Sequence, residues 1–221
     1  LRGGPNPAGW KGHLDAVLPS PKAVKRQHGE KHHKALPYMQ IPEFMAKLRE
    51  QEGMGSLALE FLILNANRTS EVLFAKWGEI QGDLWVIPAD RMKAKKEHRV
   101  PLCQRSLEIL SIAKDESGNL PYIFSKKQKS MSNMVLATVL RRMGVKVTVH
   151  GFRSVFRDWV AEETEFSPEV AEMALAHTIS NKVEAAYRRG DLLERRRRLM
   201  EAWAEYCQFG PKSKVLHFKA A

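Results

Sequence analysis

The hydrophobic pattern of residues 78–102 differs from that of the rest of the chain and limits the folds that the chain can adopt. In segments on both sides of it, between residues 42 and 206, apolar residues recur at helical spacing, whereas GEI, LWVIP and HRVPL are short apolar runs bounded by turn residues. Three such runs, the first two joined by the turn QGD, predict a small three-stranded antiparallel sheet. RMKAKKE lies between the second and third runs, so its lysines are predicted to lie on a hairpin. The expected fold class is α+β, mostly helical.

Periodic segments on both sides of this sheet predict helices. They are PEFMAKLREQ, SLALEFLILNA, a short helix in NRTSEVLFAKW, QRSLEILSIAK, SNMVLATVLRRM, HGFRSVFRDWVAEE, SPEVAEMALAH, SNKVEAAYRR and LLERRRRLMEAWAEY. Ser56 is the predicted N-cap of the second segment, and Ser167 followed by Pro168 predicts the start of the seventh. The closing segment KVLHF is a candidate strand.

The two ends of the chain differ in composition from its centre. Residues 1–36 are rich in Pro, Gly, Lys and His and lack apolar periodicity, which predicts a linker or the tail of an upstream domain. His28, His32 and His33 have no cysteine or carboxylate at ligand spacing, so we expect a solvated basic segment rather than a metal site. The main domain is predicted over residues 37–207, followed by a tail at 208–221.

Composition restricts the classes of partner and compartment. The 221 residues include 36 Lys and Arg against 25 Asp and Glu, a net charge of +11, which favours a polyanion partner, although a merely basic surface fits the composition equally well. No apolar run approaches the ~20 residues that span a bilayer, and the basic residues are not gathered on one amphipathic helix. Cys103 and Cys207 are distant in sequence, which argues against a disulfide scaffold and fits the cytosol. The chain begins at Leu1 without a leader sequence, so secretion is unsupported and we expect an excised fragment.

Two short motifs contain arginines suited to binding a phosphate. Arg68 follows a buried helix in NRTSE, with Glu71 three residues later to orient it, although a structural ion pair is the default interpretation of that motif taken alone. His150 and Arg153 in HGFR lie three apart near a predicted helix N-terminus, where free N–H groups favour an anion. A histidine beside a permanent planar cation suits phosphodiester chemistry, but the pattern also fits a helix-capping His and a surface Arg.

A second histidine and a tyrosine follow in the C-terminal third. His177 ends the helix that begins at Ser167, where a half-buried structural histidine is the alternative interpretation. Tyr187 is flanked by Arg188 and Arg189, and cations help to remove a phenolic proton whose unperturbed pKa is ~10. Of the four tyrosines, only Tyr187 lies downstream of both histidines in a cationic setting.

The ordered set of Arg68, a hairpin lysine, His150-x-x-Arg153, His177 and Tyr187 resembles the tyrosine recombinases, the phage integrase family. HGFRSVFRDW, RMKAKKEHRVPL and VAEMALAHTISNKVEAAYRRGDLLERRR are similar to integrases of phages and genomic islands that insert beside tRNA genes. The resemblance covers roughly residues 36–207 and implies the catalytic-domain fold of that family. Residues 1–36 then correspond to the junction after the family's DNA-binding N-terminal domains.

The resemblance also implies a role for each residue of the set. Tyr187 attacks the scissile phosphate to give a 3′-phosphotyrosyl link, and Arg68 and Arg153 bind the non-bridging oxygens. Lys93, with Lys95 and Lys96 as competitors, is the general acid for the 5′ oxygen. His150 handles the tyrosine proton, and His177 hydrogen-bonds the phosphate. The implied chemistry uses no metal, cofactor or ATP, because the covalent ester stores the bond energy and the arginines replace a metal.

The resemblance implies that the partner is double-stranded DNA at attachment sites, on which a homotetramer assembles. It also implies DNA-bending and excisionase-type accessory proteins and no membrane partner. The implied location is the bacterial cytoplasm at the nucleoid. The C-terminal helix or the KVLHF segment is implied to dock onto a neighbouring protomer. Two departures from the family pattern are Asn65-Ala66-Asn67, where a Thr-Gly-Ala-like turn is expected, and Ala176, where many members have Gly. A catalytically silent DNA-binding module of the same fold and a metal nuclease are the alternative functions.

Overall fold

The computed structural model describes residues 6, 9, 11, 14–20, 33–177 and 190–211. The chain divides into two compact units, residues 1–33 and 34–221. In the first unit the described residues include one short helix, α1 (Asp15–Val17). The second unit contains the predicted catalytic domain. Residues 178–189 and 212–221 of this unit lie outside the described residues.

Eight helices are described in the second unit, in the order that the periodicity predicts. They are α2 (Ile41–Arg49), α3 (Met54–Leu64), α4 (Thr69–Leu73), α5 (Gln104–Ser117), α6 (Val135–Arg142), α7 (Gly151–Glu163), α8 (Pro168–Ala174) and α9 (Leu193–Phe209). Ser167 precedes α8 with Pro168 at its first position, as predicted. The predicted helix SNKVEAAYRR and the candidate strand KVLHF lie outside the described residues.

The predicted three-stranded antiparallel sheet is confirmed. Its strands are β1 (Ile80–Gln81), β2 (Leu84–Ile87) and β3 (His98–Pro101), in the order β1-β2-β3. Trp85 pairs with Val100 and Ile87 with His98, so these four residues alternate onto one buried face. The register thus carries a histidine, His98, into the interior beside apolar side chains.

An aromatic cluster joins α7 to α9 and so positions the HGFR segment. Trp203 of α9 packs against Phe156 and Trp159 of α7 at ring-centroid distances of 5.4 and 5.0 Å. The Trp203 indole donates a hydrogen bond to the Ile63 carbonyl near the end of α3, at 2.9 Å. Burial of large aromatic rings is the main stabilising contribution here. Helix α9 therefore packs within its own domain, which restricts the implied exchange between protomers to residues beyond this helix.

Two local expectations differ from the structure. Helix α3 begins at Met54, after Gly53 with φ 96°, so Ser56 is not the N-cap; it lies in the first turn, and its hydroxyl donates to the Glu52 carbonyl. Helix α9 continues to Phe209, two residues past the predicted domain boundary at 207. In the part of the chain that the structure describes, no helix is both long and apolar enough to cross a membrane.

Candidate active site

The end of helix α3 has the geometry of a Schellman motif. The Asn67 N–H bonds the Leu62 carbonyl and the Ala66 N–H bonds the Ile63 carbonyl, both at 3.2 Å. Ala66 has φ 50°, the left-handed conformation that this motif requires at its turning residue. Glycine adopts this conformation without steric cost, which explains why a glycine is expected here from the family pattern. The turn directs the Ala66 carbonyl into the domain.

Helix α8 ends with the same motif. The His177 N–H bonds the Glu172 carbonyl at 3.0 Å, and the Ala176 N–H bonds the Met173 carbonyl at 3.1 Å. Ala176 has φ 48°. The two alanines that depart from the family pattern are therefore the turning residues of two helix C-termini. A helix C-terminus carries partial negative charge, and these two ends face the same pair of arginines.

Arg153 is the most buried charged group of the predicted set, only 4% exposed on helix α7. Its guanidinium donates to the Ala66 carbonyl and, at 2.5 Å, to the Leu175 carbonyl, so it joins the ends of α3 and α8. Among the described residues, no acceptor lies within hydrogen-bonding distance of its buried Nε. Burial lowers the pKa of Arg153 to about 10, and the positive charge of Arg68 acts in the same direction. A bound anion would offset both effects.

Arg68 lies beside Arg153, with its side chain 20% exposed. Its Nη2 donates to the Ala176 carbonyl at 3.3 Å and approaches the Leu175 carbonyl at 3.5 Å. The predicted partner Glu71 accepts from the Arg68 guanidinium and from the Arg68 backbone N–H, both at 2.8 Å. Burial opposes ionisation of Glu71, but these hydrogen bonds outweigh it and lower its pKa. One carboxylate therefore fixes the rotamer of Arg68 and caps helix α4.

His177 joins this arrangement directly. Its Nε2 lies 3.1 Å from Arg153 Nη2, and its Nδ1 lies 2.6 Å from Glu172 Oε2. Because a guanidinium only donates, Nε2 accepts, so the ring proton is on Nδ1 and is donated to Glu172. Glu172 also pairs with Arg157 at 2.9 Å. The sequence alone did not single out Glu172; its position five residues before His177, across the turn of the Schellman motif, was the available signal.

His150 precedes helix α7 and is exposed. Its carbonyl accepts the Arg153 N–H at 3.1 Å, so the two residues are joined through the backbone. The expectation of free N–H groups here is wrong: the N–H groups of Gly151 and Phe152 donate to the Thr148 and Val149 carbonyls. The backbone of Lys34 lies so close to Gly151 that a Cβ there would be 2.4 Å from the Lys34 carbonyl oxygen. Any affinity for an anion therefore depends on side chains rather than on the helix end.

Lys93 lies on the connection between β2 and β3, as predicted, with an exposed side chain. Lys95 has φ 53°, and its ammonium donates to the Asp90 carbonyl at 3.2 Å. The base of the connection is anchored by Arg91, whose guanidinium contacts the Glu79 carboxylate and donates to the Glu71 carbonyl at 2.5 Å. The lysine-bearing turn is thus attached to the residue that orients Arg68.

Tyr187 lies outside the described residues, but the three other tyrosines are placed. Hydrogen bonding to Glu162, burial and Glu163 all raise the pKa of Tyr38, and its hydroxyl donates to Glu163 at 3.0 Å. Tyr206 is 6% exposed, and burial raises its pKa. Tyr122 packs against Phe74, with the Lys76 ammonium 6.0 Å from its ring centroid. Each of these three phenols thus has a structural role or a raised pKa.

His98 is a buried titratable residue near the two arginines that the sequence interpretation did not consider. Burial lowers the pKa of His98 to about 4, the Arg196 charge acts in the same direction, and its ring hydrogen-bonds the backbone of Ala174. The charges of Glu71 and Arg68 also act on it. Strand alternation through Val100 was the signal that could have identified it. In the described ranges no group of three or more His, Cys, Asp or Glu side chains could hold a metal ion.

Comparisons with known proteins bear on the family and the fold. The phage integrase family pattern matches residues 34–192. The integrase of enterobacteria phage P4 is 35% identical over 200 residues, covering 80% of this chain and 46% of the phage protein. The chain spans about half the length of the curated relatives that it matches.

Two solved structures share the fold. One is a lambda integrase dimer bound to a COC′ core site, with a TM-score of 0.55 and 18% identity, covering 71% of this chain and 62% of the other. The second is a lambda integrase tetramer bound to a Holliday junction, with a TM-score of 0.54 and 15% identity, covering 79% of this chain and 54% of the other. The implied fold of the recombinase catalytic domain is thereby confirmed. The family pattern spans most of the second unit, including all six predicted site residues, and the chain belongs to the phage integrase family.

Proposed function

We propose that this chain is the catalytic portion of a site-specific DNA recombinase that cleaves and rejoins strands through a 3′-phosphotyrosyl intermediate. One observation carries the proposal: the guanidinium groups of Arg68 and Arg153 meet at one backbone carbonyl, that of Leu175, with the His177 imidazole 3.1 Å from Arg153. Such a preorganised cationic site in a partly desolvated environment stabilises negative charge that develops on a phosphate. Family membership supports the reaction class.

The proposed chemical step is a transesterification. The Tyr187 oxygen attacks phosphorus, a P–O(tyrosine) bond forms, and the bond to the 5′ oxygen breaks, so that one ester replaces another without external energy. Arg68 and Arg153 bind the non-bridging oxygens, and their present carbonyl contacts show that their donors converge on one region. His177 contacts the phosphate through Nε2, with Glu172 holding Nδ1–H at 2.6 Å.

Two further residues transfer protons in the proposed step. His150 accepts the proton of Tyr187, and Lys93 donates one to the departing 5′ oxygen. Positioned acid–base groups of this kind typically contribute ~10²–10⁴-fold to the rate. Lys93 is favoured over Lys95 because the Lys95 ammonium already donates to the Asp90 carbonyl at 3.2 Å. The same groups act in reverse when the 5′ hydroxyl rejoins the strand.

The test is covalent capture of DNA. The protein is incubated in EDTA with duplexes nicked near the candidate attachment site, so that the short released fragment, which carries the 5′ hydroxyl, diffuses away and cannot rejoin the strand. We expect a covalent adduct that disappears for Tyr187→Phe while DNA affinity persists, and that is retained by Tyr122→Phe, the matched control. An adduct retained by Tyr187→Phe overturns the assignment of the nucleophile.

Two other outcomes identify the alternative functions. DNA binding without an adduct on any cognate site would identify a silent DNA-binding module of the same fold. Cleavage that EDTA abolishes would identify a metal nuclease. Both results contradict the proposal, because the proposed step uses only side chains of this chain.

The partners and the domain division are part of the proposal. The substrate is double-stranded attachment-site DNA in the bacterial nucleoid, and a homotetramer acts on it together with DNA-bending and excisionase-type proteins. The net charge of +11 supports the DNA substrate, and the DNA-bound dimer and tetramer of lambda integrase support assembly on DNA. Residues 1–36 link an upstream DNA-binding domain to the catalytic domain. Because α9 runs to Phe209, the exchanged tail begins after Gly210, and removing residues 212–221 should alter synapsis more than folding.

A further inference from the structure

Arg196 is almost completely buried although it lies within a run of four arginines. It is 1% exposed, and each of its guanidinium nitrogens has an acceptor. Nε donates to the Asp191 carbonyl at 2.7 Å, Nη1 to the Arg99 carbonyl at 2.5 Å, and Nη2 to the Asp191 carboxylate at 2.8 Å. Burying a guanidinium is costly unless its donors are paired, so this arrangement is specific rather than incidental.

The Asp191 carboxylate is held from a second side by Arg99 of strand β3. Arg99 Nε and Nη2 donate to its two oxygens at 2.9 and 2.8 Å, a bidentate geometry. Burial opposes ionisation of Asp191, but the hydrogen bonds from Arg99 and the charges of Arg196 and Arg99 outweigh it and lower its pKa. Arg99, Asp191 and Arg196 are called the Asp191 clamp below. They fix the chain to β3 at the point where it enters helix α9.

Covalent geometry relates this clamp to Tyr187. Asp191 follows Tyr187 by four residues, whereas His177 precedes it by ten. At about 3.5 Å per extended residue, the Cα atom of Tyr187 stays within about 14 Å of Asp191, whereas the tether to His177 allows about 35 Å. The position of Asp191 is therefore the tighter restriction on where the phenol can reach.

Strand β3 connects the clamp to the arginine pair. Arg99 of the clamp follows His98, whose ring hydrogen-bonds the backbone of Ala174 at the end of helix α8. That helix end presents the Leu175 carbonyl to Arg68 and Arg153. The clamp and the phosphate-binding arginines are thus both attached to strand β3. A shift of Asp191 relative to that strand changes the distance between Asp191 and the two arginines.

We propose that the Asp191 clamp is a positioning device that keeps Tyr187 within reach of the phosphate bound by Arg68 and Arg153 of the same chain. This inference rests on the proposed function. The clamp residues do not touch the reacting atoms; they act through the short tether. Misplacement of a reacting group by about 1 Å costs on the order of 10²-fold in rate, so release of the clamp should slow cleavage strongly.

The test compares Asp191→Asn with Asp83→Asn. Asp83 pairs with Arg197 at 2.6 Å, so it also ties helix α9 to the sheet, but without Asp191. We expect Asp191→Asn to lower the single-turnover rate of adduct formation about 10²-fold at saturating DNA, with DNA affinity unchanged. Arg99→Gln combined with Asp191→Asn should cause no further loss, because the two act as one unit. Asp83→Asn should react as the unaltered protein does.

A second measurement does not depend on activity. Trypsin should cut after Arg188 or Arg189 several times faster in Asp191→Asn than in Asp83→Asn at equal thermal stability. If Asp191→Asn matches Asp83→Asn in both rates while the unaltered protein forms its adduct, the clamp proposal is wrong and the proposed function stands. If the unaltered protein forms no adduct but the trypsin rates differ, the clamp orders the segment and the proposed function fails.

Discussion

The arginine pair and the lysine-bearing connection differ in how firmly the fold holds them. Arg153 is 4% exposed and bonded to the ends of two helices, and Arg68 is fixed by Glu71. Lys93 is exposed on a turn whose base is anchored through Arg91 and the buried Met92. The groups proposed to stabilise charge are therefore held by contacts within the fold, whereas the side chain proposed as the proton donor is exposed. Preorganisation is worth most where charge develops, which gives this division a physical reason.

The largest effect is expected from removing one member of the firmly held pair. A lysine at position 153 cannot reach the Ala66 carbonyl, the Leu175 carbonyl and His177 together, because it has one nitrogen instead of a planar fork. We expect Arg153→Lys to lower the rate of adduct formation by about 10³-fold or more. Arg197→Lys is the matched control and should leave the rate within a few fold. Equal losses of rate in Arg153→Lys and Arg197→Lys would show that Arg153 has no specific role in adduct formation.

On the exposed connection, we expect a loss of cleavage rate that a better leaving group restores. Lys93→Ala should slow cleavage about 10²-fold with the normal 5′ oxygen leaving group. With a 5′ sulfur in its place, the loss should nearly vanish, since a thiol of pKa ~8.5 departs as the anion without a proton donor. Lys95→Ala and Lys96→Ala test the competing lysines. If the sulfur substrate rescues Lys95→Ala or Lys96→Ala instead, Lys93 is the wrong assignment.

Acid should lower the stability of the fold through His98, which lies on the buried side of the site. The pKa of His98 is about 4 in the folded chain against 6.5 when exposed, so the unfolded chain takes up a proton first as pH falls. Stability is then lost between pH 6.5 and 4, by about 2 kcal/mol from pH 7 to pH 4.5. Urea unfolding at the two pH values should show this loss, and His98→Gln should reduce it. An unchanged difference in His98→Gln would mean that other groups account for it.

Glu172 should have a smaller, indirect effect on the firmly held side. Glu172→Gln removes the charge that holds His177 Nδ1–H, which should slow cleavage about tenfold, or about 1.4 kcal/mol. In a His177→Gln background the same change should have almost no effect, because Glu172 acts through that ring. Glu165→Gln, an exposed carboxylate just before helix α8, is the control. Additive losses in the double variant would contradict the proposed dependence.

The smallest effect should be a gain in stability at the two turning residues. Ala66→Gly and Ala176→Gly each relieve a left-handed alanine, at φ 50° and 48°, and should raise the free energy of unfolding by up to about 1 kcal/mol. Ala58→Gly in the middle of helix α3 should lower it instead. Chemical denaturation measures all three. A loss of stability at positions 66 and 176 would show that the alanine methyl groups pack productively.

Much of this arrangement could be predicted because local patterns carry it. The change of period at residues 78–102 predicted the sheet, and helical patterning placed Arg68 and His177 at the ends of two helices. Arg196 shows which features of the structure could be predicted from the sequence and which could not. It shares helical spacing with Leu199, Met200 and Trp203 and so belongs on the buried face. Its acceptor, the Arg99 carbonyl, lies 97 residues away, which no local pattern can identify.

His98 and Ser56 illustrate two other limits. His98 is buried because of its register with Ile87, a pairing that depends on how long the lysine-bearing connection is. Ser56 is a good capping residue, but Gly53 allows the helix to begin a turn earlier, at Met54, and tertiary packing extends it. Local propensity identifies that a helix is present more reliably than it fixes the first residue.

A crystal structure of the protein with Tyr187→Phe on uncleaved attachment-site DNA tests most directly whether the arginine pair receives the scissile phosphate. We expect the non-bridging oxygens of one phosphate to lie within about 3 Å of the Arg68 and Arg153 guanidinium groups and of His177 Nε2, with the ring at position 187 facing the side opposite the 5′ oxygen. A scissile phosphate bound elsewhere, beyond hydrogen-bonding distance of both guanidinium groups, would contradict it.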